Sequence, residues 1–433
     1  MKILSRLLEA LFLTLLFSCS GTGKSPFVHV ENGRFVKNGQ VVSYIGTNFW
    51  YGAILGSEGE GGNRERLGKE LDTLKALGIN NLRILVGGDG PDGIPARIEP
   101  TLQKESGVYN DTIFAGLDYL LAEMAARDMQ AVLFVNNAWE WSGGFGQYLE
   151  WATGIPALIP AIAGYAPFMM QMAEFNINTE AQELFFKNLR HIVSRTNTVT
   201  GIRYADDPTI FSWQICNEPR PFSRDKATVD GFCDWIWKAA RIIKEIDPNH
   251  MVSTGNEGAM GCNDGDYDLT ARLNDCPDID YITAHIWPFN WGWIRETTPQ
   301  EGVERAVART GEYIDRHLEI ARSLRKPLVV EEFGYPRDDY RFDEASGTTG
   351  RDAYYAYVFG RVAESKAAGD NLLGVNFWGW GGFAAHPEGH LDWQKGDDYS
   401  GDPAQEQQGL NSVYIHDTST LSVIADAVDV SCI

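Results

Sequence analysis

The chain has 433 residues, 44% apolar and 12% aromatic, which suffices for a large core and describes a globular chain, not a disordered one. Its formal charge of −22 argues against nucleic acid as a partner, because phosphate backbones repel an acidic protein. The 13 tryptophans fill cores first, but such an excess also suits stacking on the flat faces of pyranose rings.

Lys2 and Arg6 precede an apolar run from Leu11 to Phe17, which ends in Leu16-Phe17-Ser18-Cys19. That order is the layout of a bacterial secretion signal. Residues 1–18 are therefore expected to be a signal peptide. Cys19 would be lipidated as the mature N-terminus, and residues 19–26 would form a short tether; plain cleavage is the alternative. The run is too short to span a hydrocarbon core of about 30 Å. The expected location is the bacterial cell envelope, with the outer membrane favoured by Ser20, or the secreted fraction. Any membrane contact would pass through the lipid alone.

Phe27 to Val42 alternates and contains Asn32-Gly33 and Asn38-Gly39, strong hairpin signals. A hairpin here could plug the bottom of a barrel. Short apolar runs then alternate with helix-period segments. Strands are expected over Val42–Phe49, Asn81–Val86, Ala131–Asn137, Ile210–Asn217, Met251–Gly255, Tyr281–His285, Leu328–Glu332 and Leu373–Trp378. Helical patterns cover Arg66–Leu77, Phe114–Arg127, Gln182–Arg195, Gly231–Ile246, Arg305–Leu324, Asp352–Ala367 and Ser419–Ala427. Only the fifth helix is weak, with Asp268–Leu273 as a vestige. Apolar strands without alternation are buried on both faces, as parallel strands are. Eight of them with interleaved helices predict an α/β fold, a (β/α)8 TIM barrel over residues 27–433. No Gly-x-Gly-x-x-Gly follows the first strand, so a dinucleotide-binding sheet loses its main support.

Two connections are long, 138–179 and 381–412, and both follow strand ends on the face where barrel active sites sit. Of the cysteines, Cys262 and Cys276 flank a polar loop and could pair in an oxidising compartment. No Cys-x-x-Cys or Cys/His cluster exists, so no zinc site is expected. Asp264-Gly-Asp266-Tyr-Asp268 has its glycine in the wrong place for a calcium loop and reads as a solvated acidic turn. Cys216 reads as a small buried hydrophobe, and His386 and His390 lie in the last long loop.

The strand ends carry the chemistry. The fourth ends in Trp213-Gln-Ile-Cys-Asn217-Glu218-Pro219 and the seventh in Val330-Glu331-Glu332-Phe333-Gly334. Burying carboxylates at two apolar strand ends is costly without a purpose. In a barrel these ends face one pocket, where one carboxyl can protonate a leaving oxygen while the other attacks an anomeric carbon. A structural ion pair explains one such glutamate as well; two at matching strand ends favour catalysis.

Asn217-Glu218-Pro219 followed by Glu332-Phe333-Gly334 resembles glycoside hydrolase family 5, and the likeness runs from about Phe27 onward. Arg83 in Asn-Leu-Arg-Ile, His285 in Thr-Ala-His-Ile-Trp287 and Trp378 in Asn-Phe-Trp-Gly-Trp fit the same pattern. The resemblance implies Glu218 as acid/base, its pKa raised by burial and by the second carboxylate, and Glu332 as nucleophile, kept ionised by Arg83. Glu331 is the rival nucleophile, set aside because adjacent strand residues point opposite ways. Asn217 would bond the sugar 2-hydroxyl, His285 would support the acid/base, and Trp378 would floor the reacting sugar.

Three stretches resemble the endo-β-1,4-mannanase subgroup. They are Gly46-Thr-Asn-Phe-Trp50-Tyr51, Asn136-Asn137-Ala-Trp139-Glu-Trp-Ser-Gly143-Gly144 and His285-Ile-Trp287-Pro-Phe-Asn-Trp291-Gly-Trp293. Ser253-Thr-Gly-Asn-Glu257-Gly258 also fits. Trp50, Asn137, Trp139, Glu257 and Trp287 are accordingly expected at the substrate, with Trp141 and Trp151 left open. Tyrosine is usual in the wider family at Trp287, which weakens a cellulase reading, and many relatives carry histidine at Asn136-Asn137. The resemblance implies retaining, endo-acting hydrolysis of mannan, glucomannan or galactomannan without cofactor or metal. The alternatives are an exo-acting β-mannosidase, a cellulase or β-glucanase, and a non-catalytic glycan-binding lipoprotein.

Overall fold

Eight short strands, buried throughout except at Gln130, form the wall of a barrel in the computed structural model, which describes residues 25–343, 345–385 and 389–431. Residues 1–18, Cys19, nearly all of the tether and His386 lie outside these. The strands are Tyr44–Asn48, Asn81–Leu85, Gln130–Phe134, Ile210–Gln214, Met251–Ser253, Ile282–Ile286, Leu328–Phe333 and Leu372–Phe377, here called first to eighth. They lie side by side in the order fifth, fourth, third, second, first, eighth, seventh, sixth, all parallel. The fifth and sixth meet at the seam, which single bonds such as Asp280 N to Val252 O (2.8 Å) and His285 N to Glu257 O (3.1 Å) cross. The fold is the expected (β/α)8 barrel.

Long helices cover the wall: Arg64–Ala76, Asp111–Ala125, Thr179–Val193, Lys226–Ile246, Pro299–Leu324, Thr349–Ala368 and Thr418–Ser431. Side-chain oxygens of Asn63, Asn110, Asn178 and Asp225 accept from amides of their first turns, supplying the N-caps. The fifth helix is a full element, Tyr267–Asn274, and not a vestige. Asp266, from the acidic turn, caps it by accepting from Leu269 N at 2.8 Å.

The N-terminal segment folds into three antiparallel strands, His29–Glu31, Arg34–Lys37 and Gln40–Val41. Both Asn-Gly pairs take positive φ at each residue (52° and 76°, then 54° and 78°), as tight hairpin turns require. This sheet sets Phe35 under the barrel. There it packs with Tyr44, Val132, Phe211, Met251, Tyr281, Val329 and Leu373, all at or near the lower ends of strands.

The third-strand excursion contains helices Gly144–Thr153, Pro160–Ala163 and Tyr165–Ala173. The last long loop is largely irregular. Its brace is buried Asp402, whose carboxylate accepts from the amides of Gly409 (2.9 Å), Asn411 (2.9 Å) and Ser412 (3.2 Å). Cys262 and Cys276 are not bonded to each other: both are buried free thiols, like Cys216 and Cys233. Among the described residues no helix is long and apolar enough to cross a membrane.

Candidate active site

At the upper end of the barrel a cavity of about 610 Å³ opens between the third-strand excursion and the last long loop. Glu218 and Glu332 both face it. Glu218 follows the fourth strand in a left-handed conformation (φ 50°), a sparsely populated state for a non-glycine residue and one that gathers at functional sites. One donor atom from each of Glu218, His285 and Glu332 lies within 4.8 Å of the others.

The seventh strand departs from simple alternation. Ala284 of the sixth strand pairs with Val330 and the next residue, His285, with Glu332, so Glu331 is an extra residue in a β-bulge. Its side chain therefore also turns inward, contrary to the expectation that adjacent residues point apart. Glu331 is nonetheless sealed below the cavity, accepting from Gln214 Nε2 (2.5 Å) and Tyr281 Oη (3.1 Å). Access to the cavity, and not orientation, separates the two glutamates, since only Glu332 lines it.

Arg83 lies beneath the cavity floor and spends its whole guanidinium there. Nε donates to Gln214 (2.7 Å), Nη2 to Asn217 Oδ1 (2.7 Å), and Nη1 to Asn48 Oδ1 (3.0 Å) and to Glu332. It fixes the second carboxylate and the neighbouring amide together. Asn217 gives one amide hydrogen to Asn137 Oδ1 (3.1 Å), which leaves the other available to the cavity that it lines.

His285 is fully buried, and its Nδ1 stands 2.8 Å from Glu218 Oε1 and 3.2 Å from Glu332 Oε2. Burial lowers the imidazole pKa, but the Glu332 charge, the bond to Glu218 and the nearby Glu331 carboxylate outweigh it and hold the ring well above its ordinary range. Burial likewise raises Glu218. The bond and charge of His285, the charge of Arg220 and the Trp139 indole (2.5 Å from Oε2) outweigh that and hold it at about 2. Glu218 was expected to be raised; it is instead lowered, because His285, Arg220 and Trp139 favour its charged form more than burial opposes it.

Of the residues expected at the substrate, Trp139, Glu257, Trp287 and Trp378 line the cavity, and so does Trp141. Trp151 instead packs edge-on against Tyr148 inside the excursion. Two of the residues expected at the substrate, Trp50 and Asn137, do not line the cavity. Trp50 is 1% exposed, donates to Gly401 O at 3.0 Å and packs behind Trp141. Asn137 is fully buried, bonding Ser142 Oγ (3.0 Å) and the Trp139 amide (3.1 Å), so it shapes the loop and orients Asn217. His390 pairs with Asp397 at 3.0 Å, away from the cavity.

Several lining residues carried no signal in the sequence. Arg220, directly after the Asn-Glu-Pro motif, clamps Glu257 with two bonds of 2.5 and 2.6 Å and lies over the Trp139 ring. Burial, only partly offset by Arg220, pushes Glu257 up to about 7. Glu140, between two tryptophans, is likewise raised to about 7, chiefly by burial. Gln405 and Glu406 reach in from the last loop. Gln405 Oε1 is buried without a partner among the described residues, and the Glu406 carboxyl stands against the Trp378 indole. Burial and the charges of Asp402, Glu332 and Glu218 hold Glu406 well above the usual carboxylate range. A buried polar atom left unpaired at a cavity suits a ligand rich in hydroxyls.

A (β/α)8 barrel with one glutamate after its fourth strand and one in its seventh, both facing an aromatic-walled cavity, has the architecture of a glycoside hydrolase. The family described as GH family 5 beta-mannosidase-like matches residues 25–431. The chain belongs to that family. Among curated relatives, mannan endo-1,4-beta-mannosidase 1 of Arabidopsis thaliana is 29% identical over 375 residues, covering 82% of each chain. The rice (Oryza sativa subsp. japonica) protein of the same name is 29% identical over 82% of this chain and 78% of its own. Among solved structures, a family 5 mannosidase from Rhizomucor miehei is 34% identical with a TM-score of 0.84, covering 94% of this chain and 97% of that one. The endo-1,4-beta-mannanase of the same fungus is 23% identical with a TM-score of 0.66, over 93% and 98%, and so speaks for the fold alone.

Proposed function

We propose that this glycoside hydrolase cleaves β-1,4-mannosidic bonds with retention, and that it works from the ends of mannan-derived chains. The carrying observation is the pair Glu218 and Glu332 held with His285 inside 4.8 Å, compatible with the carboxyl spacing of about 5–5.5 Å of retaining enzymes. Glu332 attacks the anomeric carbon as the glycosidic C–O bond breaks. The departing oxygen takes a proton from Glu218, which Glu218 draws from His285 Nδ1 across their 2.8 Å contact. Glu218 then removes a proton from water, the water oxygen attacks the anomeric carbon, and Glu332 leaves. Asn217 is positioned for the 2-hydroxyl, and the bond to it strengthens as charge develops.

End-on action is favoured by the walls. Tyr165 and Glu140 on one side and Gln405 and Glu406 on the other bound a cavity of about 610 Å³, within the roughly 300–1,000 Å³ typical of small-ligand sites. The likeness to the Rhizomucor miehei mannosidase points the same way, as does the crystallisation of one of its mutants with mannosyl-fructose. Endo action is the second reading, favoured by the names of the plant relatives. The secretion signal and lipid at Cys19 remain part of this proposal, resting on the sequence alone.

Product analysis on linear mannan, manno-oligosaccharides and carboxymethyl cellulose tests these points, with Glu332→Ala as control. Mannose or mannobiose from the first time point supports the end-acting reading, and a ladder of intermediate sizes favours the endo one. Products from cellulose alone overturn the substrate, and full activity in the variant overturns the nucleophile.

A further inference from the structure

A second cavity of about 370 Å³ adjoins the active site, and Arg220 lines both. It is walled by Ala166, Met169 and Met170 of helix Tyr165–Ala173, by Phe222 after the fourth strand, and by Met260 after the fifth. Phe222 holds a left-handed conformation (φ 52°) and meets the Trp139 ring edge-on at 5.6 Å, so the apolar wall continues into the catalytic one. The helix belongs to a stretch, 151–173, with no charged residue. Met170 in that stretch is 75% exposed and Tyr165 54%. Ser223, Arg224, Asn263 and Asp264 also line this cavity, but an exposed apolar stretch on the rim of a site in so acidic a chain suits an apolar ligand.

The position identifies the occupant. A general acid protonates the leaving oxygen, so the departing part of the substrate lies over the loop that bears the acid. Arg220, Phe222 and Arg224 follow Glu218 in that same loop. We propose that this groove binds the leaving-group portion of the substrate and selects one bearing an apolar substituent, either an acyl ester on a sugar or an alkyl or aryl aglycone. The inference rests on Glu218 being the acid. Unsubstituted sugars present hydroxyls on every edge, for which thioethers and a phenyl ring offer no strong partner. Methionines instead adapt to irregular apolar groups. The charged Arg224 and Asp264 stand at the groove's margin, where the substituted unit would return to water.

The test compares octyl with methyl β-mannoside, and O-acetylated with plain mannotriose, as kcat/KM ratios on the full chain. The parent is expected to favour each substituted substrate by about tenfold, equivalent to about 1.4 kcal/mol. Met170→Asp, at an exposed position that does not endanger folding, brings the ratios close to one, and Met170→Leu keeps them. A preference confined to the octyl or to the acetyl pair identifies the source of the apolar group. No preference in the parent, or one that survives Met170→Asp, overturns the groove. If none of these substrates is hydrolysed, the hydrolytic reading fails separately, and calorimetric titration with octyl β-mannoside decides. Binding that Met170→Asp loses supports the groove; equal binding, or none, overturns it.

Discussion

Glu140→Gln exchanges a carboxyl for an amide of nearly the same shape at a position only 4% exposed, in the turn between Trp139 and Trp141. Burial pushes this carboxyl from 4.5 up to about 7; its own backbone amide and the charge of Arg97 offset only part of the rise. The unfolded chain therefore ionises Glu140 at lower pH than the folded one. Between those two values the folded state binds more protons, so its stability falls as pH rises, by about 1.4 kcal/mol per unit. Above about pH 7 the loss is complete and amounts to about 3 kcal/mol. Glutamine cannot ionise and escapes it, while its packing and hydrogen-bonding differences are the same at every pH. Equilibrium urea unfolding of parent and variant at about pH 5 and about pH 8 isolates the effect, since all other groups cancel. The gap should move in favour of the variant by about 2–3 kcal/mol between the two conditions. A gap independent of pH would refute the reasoning and mean that the Glu140 carboxyl is solvated or paired.

Arg83→Lys should lower kcat by about a hundredfold or more with a smaller change in KM, because an ammonium cannot hold Gln214, Asn48, Asn217 and Glu332 at once; steady-state kinetics near the parental kcat would count against it. His285→Gln should move the alkaline limb of the kcat/KM profile to lower pH. In the parent the imidazole, held well above its ordinary range, keeps the catalytic proton, whereas in the variant Glu218 must keep it alone. An unmoved limb would show that His285 does not store that proton.

The barrel was legible because its strands are predominantly apolar, such as Leu-Val-Val before Glu331, and its helices carry clear periodicity. Glu218 and Glu332 were legible because each ends such a run with a charge. The fifth helix was underread: its eight residues are too few for periodicity, and the cap at Asp266 was hidden in an acidic turn. Misreadings arose where a short motif was taken for a surface. Trp50 and Asn137 lie in site-flanking motifs, yet their polar atoms are consumed by Gly401, Ser142 and the Trp139 amide. The bulge at Glu331 was invisible because alternation is a rule of regular strands, and nothing local announces the slip in register. Gln405 and Glu406 come from an irregular polar loop, where only three-dimensional packing brings a carboxyl against Trp378. Whether Cys262 and Cys276 pair was left open by the sequence, because flanking a loop says nothing of where two sulfurs point; they are free thiols.

The plug beneath the barrel also gives the molecule two poles. Phe27 meets His250 edge-on, and Val28 joins Phe35 in the lower apolar cluster, so the chain enters at the end opposite the catalytic mouth. Anything joined ahead of Ser25, whether a bead, an electrode or another protein, would grip the molecule from behind and leave its opening turned toward the surrounding liquid. Immobilisation through that end should thus spare access for bulky chains, whereas coupling through lysines scattered over the wall has no such built-in direction.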